Sequence, residues 1–151
     1  MVYNEIGKTG MRVSNLGFGA SSLGGVFHDI REAEGIKAVH TAVENGINFI
    51  DVSPYYGHLK AETVLGKALV DIQRDKYYLS TKVGRYGKDG KNTWDYSAKR
   101  VTDSVYESME RLHIDYIDLI NVHDVEFADL HQIVDETLPA LVKLREEGVV
   151  K

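Results

Sequence analysis

Gly46-Ile47-Asn48-Phe49-Ile50-Asp51-Val52-Ser53-Pro54-Tyr55-Tyr56-Gly57 is the most informative stretch of this 151-residue chain. Its first half, residues 47–52, is an apolar run that begins after a glycine and is too short for a helix, which predicts a strand buried in a sheet. Its second half is a Pro-Tyr-Tyr-Gly turn, beyond which Val64, Leu65, Ala68 and Leu69 recur at the spacing of one helix face. Strand, turn and helix make one β/α unit, with Asp51 at the C-terminal end of the strand.

Working outward, the same unit recurs four times. Upstream, the run 16–20 leads through a Gly/Ser loop into a helix expected over about 30–45, striped by Ile36, Val39 and Val43. Asp29 and Glu32 are spaced as a capping pair for that helix, and Gly46 is its natural stop. Downstream, the run 77–83 ends near Lys82 and precedes a loop rich in glycine and lysine. A helix expected from about Ser97 follows, with Val101, Val105, Met109 and Leu112 on one face. The fourth run, 116–122, reaches His123 and leads to a last helix with Pro139 in its first turn, where a missing N–H costs little. Residues 3–13, with Gly7 and Gly10 around Lys8 and Thr9, read as a hairpin. The expected architecture is α/β and a single domain over 1–151: a β-hairpin over 1–14, then four β/α units over 15–151, a repetition that suits a TIM barrel.

An open wound sheet shares this repetition. It would carry Gly-x-Gly-x-x-Gly after the first strand, and Gly17-Phe18-Gly19-Ala20-Ser21-Ser22 has serine at the third glycine position, with Asp51 available as the acidic partner. That reading leaves Lys82 and His123 without a task. In a barrel, Asp51, Lys82 and His123, at the C-terminal ends of three successive strands, converge on one face together with Tyr56.

Composition removes several classes of function. Zero cysteines exclude a disulfide scaffold or thiolate metal site, and no apolar stretch reaches membrane-spanning length. A net charge of -5 with scattered lysines and arginines gives no footprint for nucleic acid or a membrane surface. Residues 1–8 lack a basic segment followed by an apolar run, so a cytoplasmic location is expected.

A carboxylate, a phenol, an ammonium and an imidazole at one barrel mouth suit proton transfer coupled to hydride transfer. A free tyrosine, with a pKa of about 10, is a poor base at neutral pH and needs a neighbouring cation. At about 4 Å and an effective dielectric near 20, one unit charge is worth roughly 4 kcal/mol, which would lower the phenol pKa by about three units. Lys82 is the expected cation, Asp51 its anchor, and His123 the group that orients the substrate oxygen.

This set, with an aspartate five residues before the tyrosine, resembles the catalytic tetrad of the aldo-keto reductase family. Gly17-Phe-Gly-Ala-Ser-Ser-Leu-Gly-Gly25, the stretch from Gly46 to Gly57, and Asp115-Tyr-Ile-Asp-Leu-Ile-Asn-Val-His-Asp124 are most similar to its L-galactose dehydrogenase branch. The resemblance implies an eight-stranded (β/α)8 TIM barrel closed at the bottom by an N-terminal hairpin, with this chain as its N-terminal half. It implies oxidation of an aldose at C1 to the lactone with NAD or NADP, NAD being favoured. Tyr56 would take the C1 hydroxyl proton, and Lys82 would lower its pKa. Asp51 would pair with Lys82 and reach the nicotinamide ribose, and His123 would orient the sugar oxygen. Gly19, Ala20 and Ser21 would lie against that ribose, while Tyr55 and Trp94 would face the sugar. The implied partner is a small sugar or carbonyl compound, with no metal, nucleic acid or membrane.

The resemblance covers all 151 residues but about half of the family's length. The carboxamide, pyrophosphate and adenosine contacts come from later strands in that family. The chain alone is therefore expected to turn over little and to self-associate through exposed barrel edges. A reading of a different class is a catalytically silent half-barrel serving as an interaction or assembly module. A third is a metal-dependent barrel hydrolase using His58, His123 and Asp124.

Overall fold

The computed structural model describes residues 1–88 and 91–151. Tyr3–Glu5 (β1) and Arg12–Ser14 (β2) pair antiparallel as the expected hairpin. Phe18–Gly19 (β3) then leads through a short 3-10 turn, Ala20–Gly24, to the helix Glu32–Glu44 (α1). The expected Asp29/Glu32 cap is not formed: Arg31, still extended, is the N-cap and offers no side-chain hydrogen bond. Asp29 lies two residues too far out, and Glu32 instead sits in the first turn, where its charge favours the positive end of the helix. Gly46, at φ 89°, supplies the left-handed stop after α1.

Phe49–Asp51 (β4), the helix Lys60–Leu69 (α2) and Tyr78–Val83 (β5) follow. The segment expected to be a loop is an antiparallel hairpin, Arg85–Lys88 (β6) with Lys91–Trp94 (β7), in which Arg85 pairs with Trp94. Its glycines and lysines masked the alternation, and positions 89 and 90 of that stretch lie outside the described residues. The helix Ala98–Leu112 (α3) starts as expected at Ser97, whose side chain accepts the Arg100 N–H. Leu119–Val122 (β8) precedes a helical run made of Leu130–Gln132 (α4), a π-helical turn Ile133–Thr137, and Leu138–Glu146 (α5). Pro139 is thus at the start of α5 but within a continuous run, not at its outer end. The wide π turn before it accommodates a ring that cannot join the regular ladder.

β3, β4, β5 and β8 form one parallel sheet in that order. Each new unit is laid beside the last, as in a barrel, with no jump to the far edge as in a wound sheet. Ile117 also bridges in parallel to Val150, so the final residues lie on the β8 side.

Strand alternation separates the two faces. Ile50 and Leu79, fully buried, pack with Val64 and Leu65 of α2 and Val101 and Val105 of α3. Among them sits one carboxylate, Glu62, at 0% exposure. It accepts from Thr81 Oγ1 on β5 (2.7 Å), Ser108 Oγ (3.3 Å) and Arg111 Nε (2.8 Å) on α3, which pins both helices to the central strand. No helix among the described residues is long and apolar enough to cross a membrane.

Candidate active site

Because Thr81 points at the helices, its neighbours Ser80 and Lys82 point to the other face, and the parallel register sets Ser80 beside Asp51 and Lys82 beside Asn121. Lys82 Nζ donates to both Asp51 carboxylate oxygens at 2.6 Å and to the Val52 carbonyl at 3.1 Å. Asn121 Nδ2 donates to Ser80 Oγ (3.0 Å), which donates to Asp51 Oδ1 (2.9 Å). The carboxylate is thereby held from two strands, while its side chain stays 35% exposed at the sheet's carboxyl edge.

Tyr56 stands in the turn after β4, with Lys82 Nζ 5.5 Å from its ring centre. The turn is held by a backbone approach: a Cβ on Gly57, at φ 61°, would come within 2.2 Å of the Gly24 carbonyl oxygen. His58 and Leu59 continue with positive φ into α2. His123 follows β8. Its N–H donates to Val83 O at 2.8 Å and its carbonyl accepts from Tyr96 Oη at 2.7 Å. The imidazole is boxed edge-on by Tyr56 (ring centres 5.8 Å apart) and Tyr55 (6.0 Å). All four expected side chains, Asp51, Tyr56, Lys82 and His123, therefore meet at one mouth.

Their electrostatics differ from the expectation in one respect. Lys82 does not set the Tyr56 pKa: burial raises the phenol above its ordinary value, Asp51 and Asp124 push the same way, and only Arg85 opposes them. The ammonium is already neutralised by its two-oxygen contact with Asp51, so little of its field is left for the phenol. The His123 pKa is lowered, first by burial and then by Lys82 and Arg85, against Asp124 and Asp51, which holds the ring neutral near pH 7.

Tyr55 and Trp94 are joined by a residue that the sequence left unremarked. The Arg85 guanidinium lies 3.7 Å from the Tyr55 ring centre and 5.5 Å from that of Trp94, and it pairs with Asp124. Trp94, 40% exposed, also leans on Phe127, so the hairpin brings an aromatic wall to the mouth. Ser53, Ser80 and Asn121 were missed as well. The signal was the two-residue alternation, which places Ser80 on the face of Lys82 and Asn121 on that of His123.

The edge of the mouth beside β3 is open. Gly19 ends β3 as the register partner of Asp51, and a Cβ on Gly19 would meet nothing within 4 Å. The backbone of Gly19 and Ala20, the half-buried Ser21 and the accessible Asp51 carboxylate could therefore hold a ribose. The Ala20 side chain is fully buried and contributes only its backbone. Among the described residues no three His, Cys, Asp or Glu are grouped to hold a metal ion, and His58 instead packs against Tyr55.

L-galactose dehydrogenase of Arabidopsis thaliana is 50% identical over 145 residues, covering 95% of this chain and 44% of that protein. D-arabinose 1-dehydrogenase of Saccharomyces cerevisiae is 40% identical over 144 residues, covering 92% of this chain and 41% of that one. The holo form of an aldo-keto reductase from Bacillus halodurans superposes with a TM-score of 0.87 at 34% identity, over 99% of this chain and 48% of that chain. The chain thus spans somewhat less than half the length of these relatives. The Aldo/keto reductase family model matches residues 15–151, all four β/α units, and the chain belongs to that family.

Proposed function

We propose that the protein carrying this chain is an NAD- or NADP-linked oxidoreductase that oxidises an aldose at C1 to its lactone, L-galactose and NAD being the first pair to try. The observation that carries this is the convergence of Tyr56, the Lys82–Asp51 pair and the neutral His123 at the carboxyl ends of adjoining strands. The names of the dehydrogenase relatives support the substrate class. When bound, the nicotinamide supplies the acceptor for the hydride that leaves C1.

This chain's residues handle the proton and the oxygen. Tyr56 and His123 face the same mouth, so both can hydrogen-bond the C1 oxygen and fix its carbon for transfer. As C1 gives up hydrogen with two electrons, its hydroxyl gives up a proton, and Tyr56 is the group placed to receive it. The Lys82–Asp51 pair keeps the floor of the site charged but internally balanced. Arg85, Tyr55 and Trp94 form the wall on which the sugar C–H groups would pack.

The raised Tyr56 pKa gives the reaction a direction in pH. The phenol is protonated at neutral pH, ready to donate during carbonyl reduction. Oxidation needs the phenolate, so the oxidation rate rises with pH through the neutral range, while the reduction rate holds level there and falls only as pH approaches the raised phenol pKa. The test is production of reduced nicotinamide from a panel of aldoses with NAD and with NADP. Tyr56→Phe should lower turnover by about 10²–10⁴-fold. Aldose-dependent turnover that survives Tyr56→Phe undiminished refutes the proposal.

A further inference from the structure

Ser53 is fully buried and lies in the turn between β4 and Tyr56, 70 residues from His123 in sequence. Its Oγ accepts the Tyr55 N–H at 3.1 Å and stands 3.2 Å from His123 Nδ1. A serine hydroxyl has one proton to give and two lone pairs to share. With Tyr55 taking a lone pair, that proton finds its acceptor in Nδ1. The other arrangement, Nδ1–H donating to Oγ, would give the oxygen two donors and strand its own proton in a residue without solvent contact.

The rest of the imidazole is consistent with this arrangement. His123 is fixed at its backbone by Val83 and Tyr96 and at its ring by Tyr55 and Tyr56. Its Nε2 is 3.7 Å from Asp124 Oδ1, beyond hydrogen-bond reach, and the Asp124 carboxylate is engaged by Arg85. The lowered pKa keeps the ring neutral, the state in which a tautomer has to be chosen.

We propose that Ser53 is a positioning residue that holds His123 as the Nε2–H tautomer, so that the mouth presents a hydrogen-bond donor to a substrate oxygen. The inference rests on the function proposed above only for its catalytic consequence. A carbonyl oxygen can only accept, so it needs this tautomer. The other tautomer would set a nitrogen lone pair against it. A hydroxyl can bond to either. Loss of Ser53 therefore harms carbonyl reduction more than alcohol binding.

The tautomer is read directly from long-range proton–nitrogen NMR correlations of the protein labelled with 15N-histidine, using His123→Gln to assign the signal. The expected wild-type pattern is a protonated Nε2 and a bare Nδ1. Ser53→Ala should shift the population toward Nδ1–H, and Ser53→Cys, with a weaker donor of similar shape, should shift it less. In turnover, Ser53→Ala should lower kcat for reduction about tenfold, roughly the value of one hydrogen bond, with KM for the alcohol little changed. A wild-type Nδ1–H signal overturns the inference by itself, so the test survives a variant that does not fold. A tautomer unmoved in a folded Ser53→Ala or Ser53→Cys overturns it too. A protein that turns over no aldose yet shows the Ser53-dependent shift refutes the proposed function and supports this inference.

Discussion

Arg111→Met tests how the strand bearing Lys82 is held. Glu62, at 0% exposure, has its carboxylate shared among Thr81, Ser108 and Arg111, and the Arg111 side chain is 16% exposed. Taking one partner from a buried ion pair leaves an uncompensated charge and costs about 3–5 kcal/mol. Glu62 keeps two hydroxyl donors in the variant, which places the loss near the lower end, about 3 kcal/mol. For a chain of this size each kcal/mol moves Tm by about 2–4 °C, so the expected fall is roughly 6–12 °C. Glu62→Gln added to Arg111→Met removes the stranded charge while an amide oxygen still faces Thr81, and should restore about 2 kcal/mol. Urea unfolding followed by far-UV circular dichroism measures both variants against wild type. An Arg111→Met loss below about 1 kcal/mol, or a double variant weaker than the single one, would show that the pair is not what fastens α2 and α3 to β5.

Gly57→Ala places a Cβ against the Gly24 carbonyl oxygen at a φ of 61°, and neither backbone has room to yield. It should cost about 3 kcal/mol and displace Tyr56, read as a lower urea midpoint together with lost turnover. If Gly57→Ala is as stable and active as wild type, the close approach does not set the turn. His123 takes up its proton at lower pH in the folded protein than an unfolded histidine does, so the unfolded chain binds more protons as pH falls below about 6.5. Stability from this group is present above that pH and is lost toward its folded pKa, by at most about 1.4 kcal/mol per pH unit. His123→Gln should flatten the difference between unfolding midpoints measured at pH 7.5 and 5.5. An equal acid slope in both proteins would assign the loss to other groups.

The four β/α units were legible because burial imposes period on a sequence: short apolar runs between polar turns, then apolar residues every three or four positions. Asp51, Lys82 and His123 stood out because a charged or titratable group at the end of a buried run has few structural excuses. The hairpin β6–β7 was not legible, since its pairs form across the turn and leave no apolar stripe in the chain. The fate of Pro139 depended on a π turn that no local motif signals. The Asp29 cap failed because a two-residue extended entry, set by packing, moved the helix start away from it.

The same division holds at the site. Residue types and their spacing specified which groups reach the mouth, because strand alternation and unit order are properties of the chain. Tertiary structure settled what state those groups are in. Lys82 spends its charge on Asp51, the Tyr56 pKa rises where the sequence suggested a fall, and Ser53 meets His123 across 70 residues. Protonation and tautomer follow from burial and from partners brought together only when the strands lie side by side, and neither is written in the order of the residues.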